Sequence, residues 1–175
     1  MQIFFDSVFR VFRPLVILAI GMYDTPEIKL LAGFCALTFG SEKQSAIQLF
    51  GQPEEIQNLN DDILNNNSLV FHYWDKGFSL FFDMNKSQTF CSAEIDNRDT
   101  LLFNTKLFSL KEKEIVALMK ENNFSLSDSE VHTWGEKRLS FDGAGLDCYF
   151  ENNRMVSVNF GLIESEDNNF QYFPN

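Results

Sequence analysis

Few residues in this chain are placed to do chemistry. Of its two histidines, His72 and His132, neither adjoins a glycine-framed serine or cysteine, so a nucleophilic triad has no local support. His132 could meet Cys148 only through the fold, and a surface or turn histidine is the simpler reading. Cys35, Cys91 and Cys148 are too few and too scattered for a disulfide framework, and no two stand at metal-ligand spacing. A reducing compartment fits them, with Cys91 and Cys148 expected as inert thiols on a buried face. Asp61-Asp62 lacks the further oxygen ligands of a calcium loop. Gly143-Ala144-Gly145 falls between two strand patterns, where it makes a turn; a phosphate cradle needs a helix start behind it. The acid pairs Asp83 with Glu94 and Asp147 with Glu151 could do acid–base work if buried, but charges of this kind more often rim a binding surface. No catalytic residue, metal ligand or cofactor is assigned, and the chain is expected not to be an enzyme.

Recognition is better supplied. Along a strand, neighbours point to opposite sides. On that rule Phe71, Tyr73, Phe78, Leu80, Phe82, Cys91, Ala93 and Ile95 share one face with Leu139, Phe141, Leu146, Cys148, Phe150, Val156, Val158 and Phe160. This is the expected core face. The other face carries His72, Trp74, Ser79, Phe81, Asp83, Phe90, Ser92 and Glu94, then Ser140, Asp142, Asp147, Tyr149, Glu151, Ser157 and Asn159. Rigid rings rimmed by charge are the anchors and borders of protein interfaces. The expected partner-binding residues are therefore Trp74, Phe81, Phe90 and Tyr149 with His72, and Asp83, Glu94, Asp147 and Glu151 as charge complement. The competing reading is that residues 1–39, or the tail from Ile163, simply cover this face.

Those faces need strands to carry them, and a duplication supplies the strands. A shift of sixty-eight positions lays Ser41 on Ser109, Lys43 on Lys111, Ile47 on Ile115, Gly77 on Gly145, Phe82 on Phe150 and Lys86 on Arg154. A repeated unit can be read twice and checked against itself. Ser41-Glu42-Lys43-Gln44 and Ser109-Leu110-Lys111-Glu112 read as capping boxes, each opening a helix. Ala46, Ile47, Leu49 and Phe50, and Ile115, Leu118, Met119 and Phe124, form the apolar stripes. Gly51-Gln52-Pro53 stops the first helix and Asn122-Asn123 the second. Strands follow at 69–74, 78–83 and 90–95, and at 138–142, 146–151 and 155–160, each set led by a shorter strand near Val131–Trp134 or Ile63-Leu64. The expected fold is α+β: two tandem helix-plus-meander repeats forming an antiparallel sheet, with the helices on one face. The domain boundaries are 1–29 for an apolar N-terminal segment, 30–97 and 98–162 for the repeats, and 163–175 for an acidic tail.

Composition restricts the partner. The net charge is −11, while residues 1–40 hold three acids (Asp6, Asp24, Glu27) against three bases (Arg10, Arg13, Lys29), so the repeats and tail carry the excess. Nucleic acid, which needs basic patches, is disfavoured; plain solubility or a basic protein partner is favoured. The twenty phenylalanines are more rings than a chain of this size readily hides. Residues 1–22 stay open between a packed helix, a targeting or membrane-associated segment, and an overlong reading frame ahead of Met22. Neither apolar run of the first forty residues, Leu15 to Tyr23 or Leu30 to Phe39, is long enough to span a bilayer. Asp24-Thr25-Pro26-Glu27 reads as the capped start of a new element.

Gly40 and Gly51 stand eleven residues apart, followed by Gln52-Pro53, with Ser41 capping and Phe50 before the second glycine. This resembles the helix signature of the SmpA/OmlA-type outer-membrane assembly lipoproteins, and the tandem helix-plus-meander is similar to the β-lactamase-inhibitor protein fold, in which one sheet grips an enzyme. The second copy has Met119-Lys120-Glu121 in place of the glycine and proline, and Gly33-Phe34-Cys35 is not a lipobox. The resemblance implies a binder or inhibitor of another protein, in the manner of the small acidic proteins that neutralise toxins in bacteria and travel in mobile gene cassettes. The expectation is a cytoplasmic, non-enzymatic protein-binding or inhibitory module of toxin-immunity type. The alternatives are an envelope-associated assembly factor held by its N-terminal segment, membrane-associated or periplasmic, and a small-ligand binder with an apolar cavity.

Overall fold

A computed structural model of the chain describes residues 25–61, 66–84 and 88–163. Three short strands, β1 (Glu27–Lys29), β2 (Gly33–Phe34) and β3 (Leu37–Thr38), precede helix α1 (Lys43–Phe50). A meander follows: β4 (Glu55–Asp61), β5 (Asn66–Tyr73), β6 (Phe78–Asp83) and β7 (Thr89–Ile95). The second copy has β8 (Leu101–Leu102), β9 (Thr105–Lys106), helix α2 (Glu112–Glu121), then β10 (Asp128–Val131), β11 (Lys137–Phe141), β12 (Leu146–Glu151) and β13 (Arg154–Gly161). The two meanders join through β7 and β13 into one eight-stranded sheet, ordered β10-β11-β12-β13-β7-β6-β5-β4 and antiparallel throughout. That order is a palindrome of the two copies. A second sheet, β3-β2-β1-β8-β9, is held together by a parallel pairing of β1 with β8. The fold is α+β, as the alternation predicts.

The duplication reaches down to single hydrogen bonds. Phe39 N donates to Ala32 O at 2.8 Å, and sixty-eight positions on Leu107 N donates to Thr100 O at 2.9 Å. Ala32 N to Lys29 O and Thr100 N to Asn97 O repeat in the same way. Between the second and third strands of each meander stands a 3₁₀ turn, Trp74–Lys76 or Asp142–Ala144, ending on a left-handed glycine, Gly77 at φ 69° and Gly145 at φ 57°. Only glycine takes that conformation without strain, and here space forbids a side chain too: a Cβ on Gly145 would strike the carbonyl oxygen of Gly161.

Both helices and both short hairpins lie on the core face, over one hydrophobic cluster that spans the two copies. Phe34 sits at the centre, 5.0 Å from Phe78, 6.0 Å from Phe50 and 6.2 Å from Phe160, so the residues ahead of α1 stitch repeat one to repeat two. Residues 25–39 thus cover the core side and leave the other face of the sheet alone. Residues 1–24 and the tail from 164, on which the readings of a targeting segment and a covering tail depend, lie outside the described residues. So do the Ile63-Leu64 strand and Asp62.

Strict alternation fails at one place, and it fails in both copies. The pairing slips between Phe81 and Phe82, so that Phe81 faces Ser92 but Phe82 faces Phe90. It slips again between Tyr149 and Phe150, with Tyr149 facing Ser157 and Phe150 facing Met155. Each is a β-bulge that reverses which side the early residues of the strand address. Phe90 is therefore core and not surface: it is fully buried, stacked on Phe39 at 5.0 Å, and its backbone exchanges hydrogen bonds with Gly40 and Ser41. Met155 takes the inward position expected of Val156, and Cys91 is moved off the core face into the bulge, its thiol donating to the Phe81 carbonyl. Burying a benzyl or thioether side chain gains about 1.5–3 kcal/mol over leaving it in water, which a regular strand would have forfeited.

Local signals at the helix starts are also revised. Neither Ser41 nor Ser109 caps; α1 begins after Glu42 with no side-chain cap, and Ser109 donates to Lys106 O within a 3₁₀ turn. The reciprocal contact at α2 sits two residues later, where Glu114 accepts from Lys111 N at 2.7 Å. The buried stripes are Ala46 and Phe50 in α1 and Ile115 and Met119 in α2, while Leu49 is exposed. Thr25, Pro26 and Glu27 lead into a strand, not a helix, because the backbone there pairs with β2 and β8; Asp24 lies outside the described residues.

Candidate functional site

The open face is crossed by one polar row. Glu55, His72, Ser79, Glu94, Asn159, Asp147, Ser140 and Asp128 stand opposite one another on successive strands from β4 to β10. Phe81 and Tyr149 lie two residues past this row on β6 and β12, strands that run in opposite directions, so the two rings flank it on opposite sides. Trp74 lies at a third place, on the turn beyond the end of β5.

Trp74 is 56% exposed and stacks on the His72 ring at 4.2 Å and 10°. His72 beneath it is buried, with Nδ1 2.8 Å from Ser79 Oγ and Nε2 3.1 Å from Gln57 Oε1. An amide oxygen only accepts, so Nε2 carries the proton in this arrangement and Nδ1 accepts from the serine hydroxyl. His72 is thus not a contact residue: both nitrogens are spent, and it is the platform that fixes the indole. Ser79 beside it is also buried.

Phe81 and Tyr149 are half-buried, leaving part of each ring at the surface. Burial and the neighbouring Asp147 push the Tyr149 hydroxyl above its ordinary range, Glu136 and Glu94 push the same way, and Arg138 pulls it back. Of the expected charge complement, Glu94 is exposed, Asp147 half-buried, and Glu151 exposed at the β12–β13 hairpin opposite Arg154. Asp83 is a correction, since it is buried and does not rim the face. Phe90, in the core, is another. Trp74, Phe81 and Tyr149 remain as separate rings on one face, linked by the row and not gathered into a single cluster.

One residue of the same character escaped the alternation. Trp134, at the tip of the β10–β11 hairpin, is 72% exposed and stacks on His132 at 4.5 Å and 12°. His132 Nδ1 is 3.9 Å from Glu130 and Nε2 4.0 Å from Glu136. The sequence signal was the spacing His-x-Trp, present at His72-Tyr73-Trp74 and His132-Thr133-Trp134, which together use every histidine and tryptophan of the chain. From the strand directions, both tryptophans lie at the same end of the sheet. Cys148, by contrast, is fully buried in the core, where burial drives its thiol up, and it does not meet His132.

The face is acidic in detail as well as in sum. Among the described strand residues it carries Glu55, Glu94, Asp128, Glu130, Asp147 and Glu151, against Arg138 and Arg154. Arg138 is already matched, reaching Glu130 at 3.0 Å and Asp128 at 3.3 Å, while Arg154 stands opposite Glu151 in the strand register. Lys137 points the other way, to Glu112 of α2. Among the described residues no group of three or more histidines, cysteines and acids is arranged to hold a metal ion, and no helix is long and apolar enough to cross a membrane.

No protein-family model matches the chain, and no curated protein does. Among solved structures it is similar to an extracellular protein containing a SCP domain from Bacillus anthracis str. Ames, with TM-score 0.40 and 12% identity over 69% of this chain and 42% of that one. It is also similar to a DUF4309 family protein (YjgB) from Bacillus subtilis subsp. subtilis str. 168, with TM-score 0.43 and 15% identity over 72% of this chain and 82% of that one. The chain thus spans less than half of the first of these.

Proposed function

We propose that the protein is a non-enzymatic binding module that docks a basic protein on the open face of its sheet, in the manner of an inhibitor or toxin-immunity protein. The observation that carries this reading is the pairing of rings with an excess of acid: Trp74, Phe81 and Tyr149 stand at the surface of a face on which Glu55, Glu94, Asp128, Glu130, Asp147 and Glu151 outnumber Arg138 and Arg154. Aromatic anchors in an acidic surround favour a cationic partner, with affinity from the rings and association rate from the field. Against catalysis, the one histidine next to a serine hydroxyl is closed off by Gln57 and roofed by Trp74.

The test is affinity capture from the source cell, followed by titration of the basic protein recovered. A one-to-one complex weakened by salt is expected. Trp74→Ala and Tyr149→Ala should each lower the affinity by about tenfold or more, and Glu94→Gln with Asp147→Asn should slow association. Unchanged affinity in both aromatic variants would overturn the reading.

A further inference from the structure

The eight-stranded sheet ends on β10 at one side and β4 at the other, and the two ends are finished differently. β10 is four residues long, and Arg138 on its neighbour ties it down through Asp128 and Glu130. β4 is seven residues long and pairs with β5 at every position without a bulge. Among the described residues nothing pairs with its outer side, and every residue from Glu54 to Leu59 is exposed. An unpaired edge offers a row of N–H and C=O groups to any extended chain, and proteins usually guard it with lysine, proline or a bulge. Glu55–Asp61 has none of these. It also shows apolar surface on both faces, with Ile56 53% exposed beside Phe71 on the core side and Leu59 40% exposed on the open side.

We propose that β4 is a strand-addition site for an extended segment of another protein, apolar where it faces Ile56 and cationic at its ends. Charge selects this occupant. Glu54 and Glu55 open the strand, Asp61 closes it, and no cation lies between them. A second copy pairing antiparallel about Asn58 would set Glu55 against Asp61 at both ends, and a slip of one residue either way keeps acid near acid. Self-pairing is opposed by like charge, and a basic strand is drawn in by the same residues. Main-chain hydrogen bonds supply the affinity of such sites and alternate side chains the selectivity. An apolar residue opposite Ile56 extends the layer that Phe71 begins, and a lysine or arginine opposite Glu55 answers its charge. The proposal stands apart from docking on the open face, since it uses the edge of the sheet and not its rings.

The probe is a short synthetic peptide alternating lysine and valine, with its glutamate–valine counterpart as control, added to the full chain. Hydrogen exchange followed by NMR should slow at the amides of residues 55–60, and the lysine peptide should bind about tenfold or more tightly than the control. Glu54→Lys with Glu55→Lys should reverse that preference, and Asn58→Pro should abolish the protection; should the proline variant fail to fold, the charge reversal decides alone. Tyr149→Ala, which touches only the open face, should leave peptide binding unchanged. Equal binding of the two peptides, protection elsewhere than β4, or a β4-paired dimer of the free chain in sedimentation would overturn the proposal.

Discussion

The two repeats share a frame and diverge on the face they turn outward. Turn, left-handed glycine and bulge recur in both copies. Yet where the first has Phe81 beside His72 and Ser79, the latter two joined by a hydrogen bond and His72 covered by an indole, the second has Ser140, Asp147 and Tyr149 beside Arg138 and its acids. Backbone constraints tolerate little exchange, because a side chain at Gly145 meets a carbonyl oxygen. Outward positions meet only water and one another, and there the copies were free to differ. A binding surface is most readily built where the frame does not care.

Phe81 and Phe90 put the largest number on that division. They lie nine positions apart on the neighbouring strands β6 and β7, and regular counting along each strand assigns both to the open face; the bulge sends Phe90 into the core. Phe90→Ala should cost about 3–5 kcal/mol in urea unfolding, and Met155→Ala, its counterpart, about 2–5 kcal/mol. Phe81→Ala, at a half-buried surface ring, should cost about 1 kcal/mol. Equal losses at Phe81 and Phe90 would mean that the bulge does not sort the faces.

How far the sequence could be read follows from the same division. The repeat, the α+β class, the six long strands and both helices were legible because period and duplication reinforce each other. The bulges were not, since a two-residue period carries no mark of an inserted residue, and this misplaced Phe90, Cys91 and Val156. The capping serines misled because a Ser-x-x-Gln or Ser-x-x-Glu spacing does not say where helical hydrogen bonding begins. On the candidate face, Trp74, Phe81 and Tyr149 were legible by alternation. Trp134 was not, because it lies on a hairpin tip where alternation stops. The burial of Asp83 and His72 depends on cross-strand neighbours, and those are set by register.

The two strand cysteines offer a second comparison, between a bulge and the core. Burial raises the Cys91 thiol from 9.0 to about 11, with Ser92 pulling it down and Asp83 pushing it up, and burial drives Cys148 higher still. An unfolded thiol ionises near pH 9 while the folded ones hold their protons. Stability is therefore complete below about pH 9 and falls as pH rises, through about pH 11 on account of Cys91 and beyond it on account of Cys148. Cys91→Ala should flatten the alkaline decline only between about pH 9 and 11, and Cys148→Ala over the whole limb, by denaturant midpoints at stepped pH. A slope untouched by either would place both thiols in contact with solvent.

The smallest expected effect is the most pointed, because it asks whether the copies differ where they need not. Ala32 and Thr100 are equivalent: each accepts through its carbonyl from the residue seven positions on. Thr100 is fully buried, and its hydroxyl has no hydrogen-bond partner. A buried, unsatisfied hydroxyl forfeits its water and gets nothing in return, whereas an isosteric methyl loses nothing. Thr100→Val should therefore raise stability by about 1 kcal/mol, against the usual direction of core substitutions, with the urea midpoint rising and the slope unchanged. The reverse experiment in the first copy, Ala32→Thr, should not lower stability by the same amount, because Ala32 is only partly buried and a hydroxyl there keeps some contact with water. If Thr100→Val instead destabilises the chain, its hydroxyl has a partner in solution, and the second copy is finished by a hydrogen bond that the first never needed.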